Sequence, residues 1–319
     1  MDFLSDELKG VSYRKRIHAA VKDTHFSERL LKCEEVKETH CGSVYCDKCR
    51  QSKQRSLFYR FNKYFVDNLK NDEALARERL RWVSVLHSVV AIDENDEMST
   101  INNVCQQVEI MKNEISNLAR CLKRNRNEKI WLRGGIHLEI VDYRSFLIAA
   151  KNGVATEKEK TLTGFIQRMS NEISDFYVLV HFHALADKRS LTDSEFSEIF
   201  TNRWCATSRQ VDVQTLWENV KENKRDSDGR LIKDNLGRRI VKSETDAKVL
   251  HSLIAFARYC YAYSNHRLQY ARNWSHGKYI AELSDDGLVE LGELRASSRR
   301  LTLSHIRLLV LMSDAVNGD

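Results

Sequence analysis

Asp175-Phe-Tyr-Val-Leu-Val-His-Phe-His-Ala-Leu185 is an apolar run carrying two histidines one residue apart, His181 and His183. Apolar, β-branched and aromatic residues at this density predict a strand. In a strand, residues i and i+2 project from the same face. Both imidazoles therefore leave a mostly buried strand side by side. Neutral imidazole is a good ligand for a divalent cation, and a rigid strand positions two of them in advance. The plain structural alternative is a pair of hydrogen-bonded sheet histidines.

Two neighbouring stretches bear on that choice. Gly134-Gly-Ile-His-Leu-Glu-Ile-Val141 is a second apolar strand with His137 and Glu139 on one face. Glu139 is the better third ligand, and His137 is either a supporting partner or surface. A carboxylate beside two imidazoles makes a mixed nitrogen and oxygen set with open positions, which suits Mg²⁺ or Mn²⁺ better than structural zinc. Leu253-Ile-Ala-Phe-Ala-Arg-Tyr-Cys-Tyr-Ala-Tyr-Ser-Asn265 then predicts a helix with Tyr259 and Tyr263 at i and i+4, on one face. Tyr261 lies roughly opposite and packs. A phenol can attack phosphorus and become covalently attached, provided that a cation stabilises the developing charge.

The cysteines make a separate argument. Four of the eight fall at Cys33, Cys41, Cys46 and Cys49. Cys46-Asp-Lys-Cys49 is a common zinc half-site, Gly42 allows a tight turn beside Cys41, and His40 is an alternative ligand. The other four are scattered and no secretory signal opens the chain, which points to a reducing, cytoplasmic setting and to structural Zn²⁺ rather than disulfides.

The net charge is only +6, with an isoelectric point near 8.8. Its distribution is more telling. Lys48, Arg50, Lys53, Arg55, Arg60 and Lys63 follow one another with no acidic residue between, and Phe58, Tyr59, Phe61, Tyr64 and Phe65 interleave with them. Cations track phosphates and aromatics stack on unpaired bases. A second acid-free stretch, from Ala247 to Ala281, surrounds the tyrosine helix and includes Arg258 and Arg267. The bland reading of the first stretch is an amphipathic helix with a solvated basic face, and such a helix can still bind nucleic acid.

Three units are predicted: a zinc-binding and basic-aromatic segment over 1–72, a central domain over 73–275 with a charged insertion at about 222–247, and a C-terminal helical segment over 276–319 built on Leu301–Met312. Strands at Trp82–Val90, Lys129–Val141 and Phe176–Leu185, a shorter one at Gln210–Leu216, and a helix with apolar spacing from Val104 to Leu122 give an α+β domain with a central antiparallel sheet flanked by helices. Thr192 followed by Glu195 marks a helix start. No apolar run reaches the roughly 18 residues that span a membrane, so no membrane role is expected. Proline is absent, which leaves boundaries to Gly, Asn and Asp turn signals.

Taken in order, His181-Phe-His183, Gly135-Ile-His-Leu-Glu-Ile140 and Ala257-Arg-Tyr259 resemble motifs of the HUH endonuclease superfamily, most closely the rolling-circle replication initiators (Rep proteins) of small plasmids. Arg81-Trp-Val-Ser-Val-Leu-His-Ser-Val-Val90 sits where that family has its first strand motif, and the resemblance covers about residues 30–270. In place of the lysine that often follows the nucleophile stands Ser264-Asn-His-Arg267. The Tyr259-x3-Tyr263 spacing is similar to the two-tyrosine branch, so both tyrosines stand as nucleophiles. The resemblance implies a metal held by His181, His183 and Glu139 on a central strand facing the tyrosine helix. It also implies a 5′-phosphotyrosine at Tyr259 with a second transfer at Tyr263, a single-stranded or hairpin origin as substrate, and host helicase and polymerase as further partners. A transposase or relaxase of the same superfamily is the first alternative. A non-enzymatic zinc-containing DNA-binding protein is the second. No Gly-x4-Gly-Lys-Ser/Thr loop is present, which argues against a fused helicase.

Overall fold

The computed structural model describes residues 20–35, 41, 46–93, 95–126, 130–151, 153, 155–224, 226, 232, 240–246, 248–261, 268–269, 308, 311–312 and 315. Along the chain these form α1 (His25–Glu35), α2 (Asp47–Leu69), α3 (Glu73–Arg79), β1 (Leu80–Ala91), α4 (Glu97–Arg126), β2 (Trp131–Asp142), α5 (Tyr143–Lys151), α6 (Glu157–Met169), β3 (Phe176–Asp187), α7 (Asp193–Thr201), β4 (Val211–Thr215), β5 (Asn219–Asn223), β6 (Val241–Asp246), α8 (Val249–Tyr259) and β7 (Leu268–Gln269).

The main sheet runs β4-β1-β3-β2-β7. β1 and β2 flank β3 and pair with it antiparallel, β4 pairs antiparallel with β1, and β7 adds two residues parallel to β2. The fold is thus α+β around four antiparallel strands, with β5 and β6 as a separate antiparallel pair. That pair occupies the charged stretch where the turn signals fall.

Every residue of β3 is buried, as expected of a strand covered on both faces. Its even-numbered residues, Val178 to Ala186, join one apolar cluster with Val104, Val108 and Met111 of α4, Phe196 and Phe200 of α7, and Leu308 and Met312. Of the expected terminal helix, only those last residues and their nearest neighbours are described. On the odd-numbered face, Tyr177 and Leu179 pack under Phe146 of α5 and Phe165 of α6. At the other end of that face, Leu185 packs under Phe61 and Phe65 of α2 and Leu253 and Phe256 of α8. Burying each such phenylalanine or leucine contributes roughly 1.5–3 kcal/mol. His181 and His183 lie between these two apolar patches.

Two helices, α5 and α6, stand between β2 and β3, where the sequence pattern had the two strands following directly. α6 carries a full capping box, with Thr156 Oγ accepting from Glu159 and the Glu159 carboxylate accepting from Thr156 N; that signature was readable in Thr156-Glu-Lys-Glu159. α7 starts on the same device at Thr192 and Glu195, as its sequence predicts. At the end of β3 the fully buried Asp187 accepts from Tyr64 Oη at 2.6 Å and from Arg79, tying α2 and α3 to the sheet. A buried carboxylate needs that number of donors to offset its desolvation. Among the described residues no helix is long and apolar enough to cross a membrane.

Candidate functional site

The antiparallel register sets His137 of β2 directly opposite His181 and Gly135 opposite His183. Three imidazoles therefore meet on one face of the sheet. His137–His183, His181–His183 and His137–His181 ring centroids lie 4.4, 4.9 and 5.2 Å apart. Each ring offers one nitrogen to a common point, those nitrogens all fall within 4.8 Å of one another, and all three residues are buried. The expected set was His181, His183 and Glu139, with His137 as support or surface. The structure instead brings His137, which has no exposed area, into the cluster. Glu139 stands at its edge, its Oε2 3.7 Å from His181 Nε2.

Second contacts fix the rings. His137 Nε2 lies 3.0 Å from the carbonyl of Cys260. A carbonyl only accepts, so that nitrogen carries the proton and Nδ1 keeps the lone pair. His183 Nδ1 meets Ser84 Oγ at 2.7 Å, and its Nε2 lies 3.1 Å from His181 Nδ1. Two nitrogens held cis on one ion at about 2.1 Å would be about 3 Å apart. Burial, with a smaller push from the Lys158 charge, holds His183 down to about 3. It is therefore neutral at ordinary pH, the form that ligates. The donor set fits a divalent cation.

Tyr259 borders the site. Its ring lies 4.9 Å from His183 and 5.4 Å from His137, and the residue is 36% exposed. Ring contacts hold its helix there: Trp82 of β1 lies 4.3 Å from Phe256 and 5.8 Å from His183, nearly parallel to both. Below the end of α8, Gly135 makes room, since a Cβ there would stand 3.0 Å from the Cys260 carbonyl. A Cβ at Gly134 would fall 1.9 Å from the His183 carbonyl oxygen. Both glycines serve close backbone approach. Tyr261 packs against the core, as expected from its position opposite Tyr259. α8 ends at Tyr259; Tyr263 and Arg267 lie outside the described residues, as does His40.

The four cysteines form a second set. Sγ separations are 3.6 Å for Cys33–Cys46, 3.6 Å for Cys33–Cys49 and 3.7 Å for Cys41–Cys49. All four are buried with their sulfurs facing one point. Burial pushes Cys33 up to about 11, whereas hydrogen bonds, the first from Cys41, pull Cys46 down to about 5. Without a cation the four cannot all ionise; with one they can. Either cluster could hold a metal ion.

The basic helix divides. Lys48 donates to the Cys33 carbonyl at 3.5 Å. Lys53 is half-buried beside Cys49 and Cys41, and desolvation lowers its pKa. Arg50 is also half-buried, while Arg55, Arg60 and Lys63 are exposed. Arg258 is exposed on α8, and its carbonyl accepts from Gln54 of α2 at 3.3 Å. The sequence reading missed Ser84, Trp82 and the ligand position of His137. His137 was readable as sharing the Glu139 face, but Ser84 and Trp82 gain meaning only through register. Compared with protein-family models, with curated proteins and with solved structures, the chain matches none.

Proposed function

We propose that this protein is a metal-dependent HUH-type nuclease that nicks and rejoins single-stranded DNA, acting as a rolling-circle replication initiator. The observation that carries the reading is the ring of Tyr259 lying against His183 and His137, two of the three clustered imidazoles. A partly exposed tyrosine above a set of metal ligands is what attack on a phosphodiester requires. His137, His181 and His183 would hold Mg²⁺ or Mn²⁺, with the Glu139 carboxylate adjacent. When bound, the ion supplies charge stabilisation at the scissile phosphate.

The chain's own residues do the rest. The Tyr259 oxygen forms a bond to phosphorus and the bond from phosphorus to the 3′ oxygen breaks. The phenol loses its proton and the departing oxygen gains one, leaving a 5′-phosphotyrosine and a 3′-hydroxyl. That hydroxyl can prime synthesis. The phosphoryl bond is exchanged rather than hydrolysed, so the reverse step rejoins the strand without ATP, and Tyr263 would serve a second transfer. Ser84 and the Cys260 carbonyl keep the imidazoles oriented. Cys33, Cys41, Cys46 and Cys49 would hold structural Zn²⁺: a tetrahedron of Zn–S bonds of about 2.3 Å has sulfurs about 3.8 Å apart, close to those seen. Exposed Arg55, Arg60 and Arg258 would meet the DNA backbone, with an origin hairpin as substrate and host replication proteins as partners.

The test is incubation with labelled single-stranded circles and hairpins in Mn²⁺, with and without chelator, then denaturing gels and mass spectrometry. The expected result is a metal-dependent adduct on Tyr259, lost in a His181→Ala/His183→Ala variant that still binds DNA. Binding with no adduct on any substrate would instead favour a DNA-binding protein without catalysis. Cutting of element ends rather than an origin would favour a transposase.

A further inference from the structure

Every second residue of β2 shares a face, so the side carrying His137 and Glu139 also carries Arg133 and Trp131. There the strand meets α2. Arg60, Lys63 and Tyr64, followed by Asp67 and Asn68, line one side of that helix, and with Trp131 and Arg133 they border an open pocket of about 340 Å³. Tyr64 stacks on Trp131 with ring centroids 3.9 Å apart and planes at 17°. The edge of Phe61 meets the same indole at 6.1 Å, and Tyr64 is itself held by Asp187. Trp131 is thus a half-exposed ring fixed in place. Arg60, Lys63 and Arg133 beside it are all exposed.

We infer that this cavity is a nucleotide subsite for the single strand that enters the histidine–tyrosine site; the inference rests on the proposed action on single-stranded DNA. The base would lie against the exposed part of the Trp131 indole, with its flanking phosphates on Arg60, Lys63 and Arg133. Asp67 and Asn68 offer an acceptor and an amide to the base edge. Three features point to this occupant. A fixed aromatic beside exposed cations is the pairing that binds unpaired nucleotides. The volume lies at the lower end of the roughly 300–1,000 Å³ of small-ligand sites, room for one nucleotide. The cations are long exposed side chains rather than a backbone cradle, which suits a strand's phosphates better than a free triphosphate. At about 3.4 Å per residue, Arg133 lies roughly 14 Å and Trp131 roughly 20 Å along β2 from His137. The bound nucleotide is therefore a few positions from the scissile phosphate.

The test uses the full chain and a short fluorescent single strand, in buffer without Mg²⁺ or Mn²⁺ so that binding is read apart from cleavage. Lys63→Ala and Arg133→Ala alter exposed residues and should fold normally. Each should weaken binding several-fold and lower the log–log salt slope by about 0.7. A photoreactive base stepped along the strand should crosslink to Trp131 or Tyr64 only at positions a few nucleotides from the nick. Unchanged affinity and slope in both variants would overturn the subsite, as would a free mononucleotide competing as well as the strand. Wild-type protein that binds the strand, with these losses in the variants, but never forms an adduct would sink the nuclease reading and leave the subsite standing. Normal nicking with undiminished affinity in both variants would sink the subsite alone.

Discussion

The cysteine knuckle and the histidine cluster are both buried sets of side chains that could hold a metal ion, but they are closed differently. The knuckle presents four sulfurs to one point with nothing left over. The histidine cluster presents three nitrogens, with Glu139 at its edge and a partly exposed tyrosine above it. Four-coordinate closure suits a metal that holds the chain together; an incomplete set beneath a nucleophile suits one that meets a substrate. The difference also shows in charge. Four thiols require a cation before all can ionise, whereas burial alone already keeps His183 neutral.

The largest expected effect breaks the first half of that contrast. Cys49→Ala should remove the metal and lower stability by about 5 kcal/mol or more, a large part of what a domain of this kind has. Chemical denaturation and metal content measure it. A variant that keeps its midpoint would make the knuckle dispensable. Tyr259→Phe tests the second half. Its nicking rate should fall by about 10³-fold or more while its melting temperature stays within a few degrees. Equal nicking by this variant would move the nucleophile to Tyr263.

Ser84→Ala sharpens the role of ring orientation. Loss of the hydroxyl on His183 Nδ1 should weaken Mn²⁺ binding about 10- to 100-fold, measured by titrating nicking against Mn²⁺, with activity partly recovered at high metal. A fall in rate that metal does not rescue would mean that Ser84 acts otherwise. The smallest effect is a pH dependence. His183 has its pKa depressed to about 3 in the fold against about 6.5 unfolded. Below about 6.5 the unfolded chain takes up a proton that the folded chain refuses, so stability falls as pH falls from 6.5 towards 3. Without added Mg²⁺ or Mn²⁺ this contributes up to about 1.4 kcal/mol per pH unit. The slope between pH 7 and pH 5 should be smaller in His183→Gln; an identical slope would show that His183 is not the group responsible.

Much of this was legible in the chain. β1, β2 and β3 follow from apolar runs, α4 from its helical spacing and α7 from its cap. The cysteine spacing announced a cluster, and Phe182 between two histidines put both on one side. Other features were not. α5 and α6 do not follow from apolar runs; the signal for α6 is the capping box at Thr156 and Glu159. Glu139 reads as the better third ligand because carboxylate chemistry is plain in a sequence. His137 joins the cluster, with Glu139 at its edge, because β2 pairs with β3 so that it faces His181, and register is a property of two strands rather than of either. The basic run looked uniform, yet Lys48 and Lys53 serve the knuckle while Arg60 and Lys63 border the cavity, since helix phase and docking decide which side each meets.

The sequence by itself determined the local geometry: which segments extend, which coil, which residues share a strand face and which cysteines lie close enough to gather. Those outcomes depend on backbone sterics and on apolar period, acting over a few residues. Only the tertiary structure decided that three imidazoles converge, that the ring of Tyr259 meets His183 and His137, and that Trp131 and α2 border an open pocket on the same face. Those depend on strand register, on the contacts of Trp82 with Phe256 and His183, and on the backbone contact that Gly135 permits with Cys260. Each joins residues far apart in the chain, and their energy exists only once the chain has closed on itself.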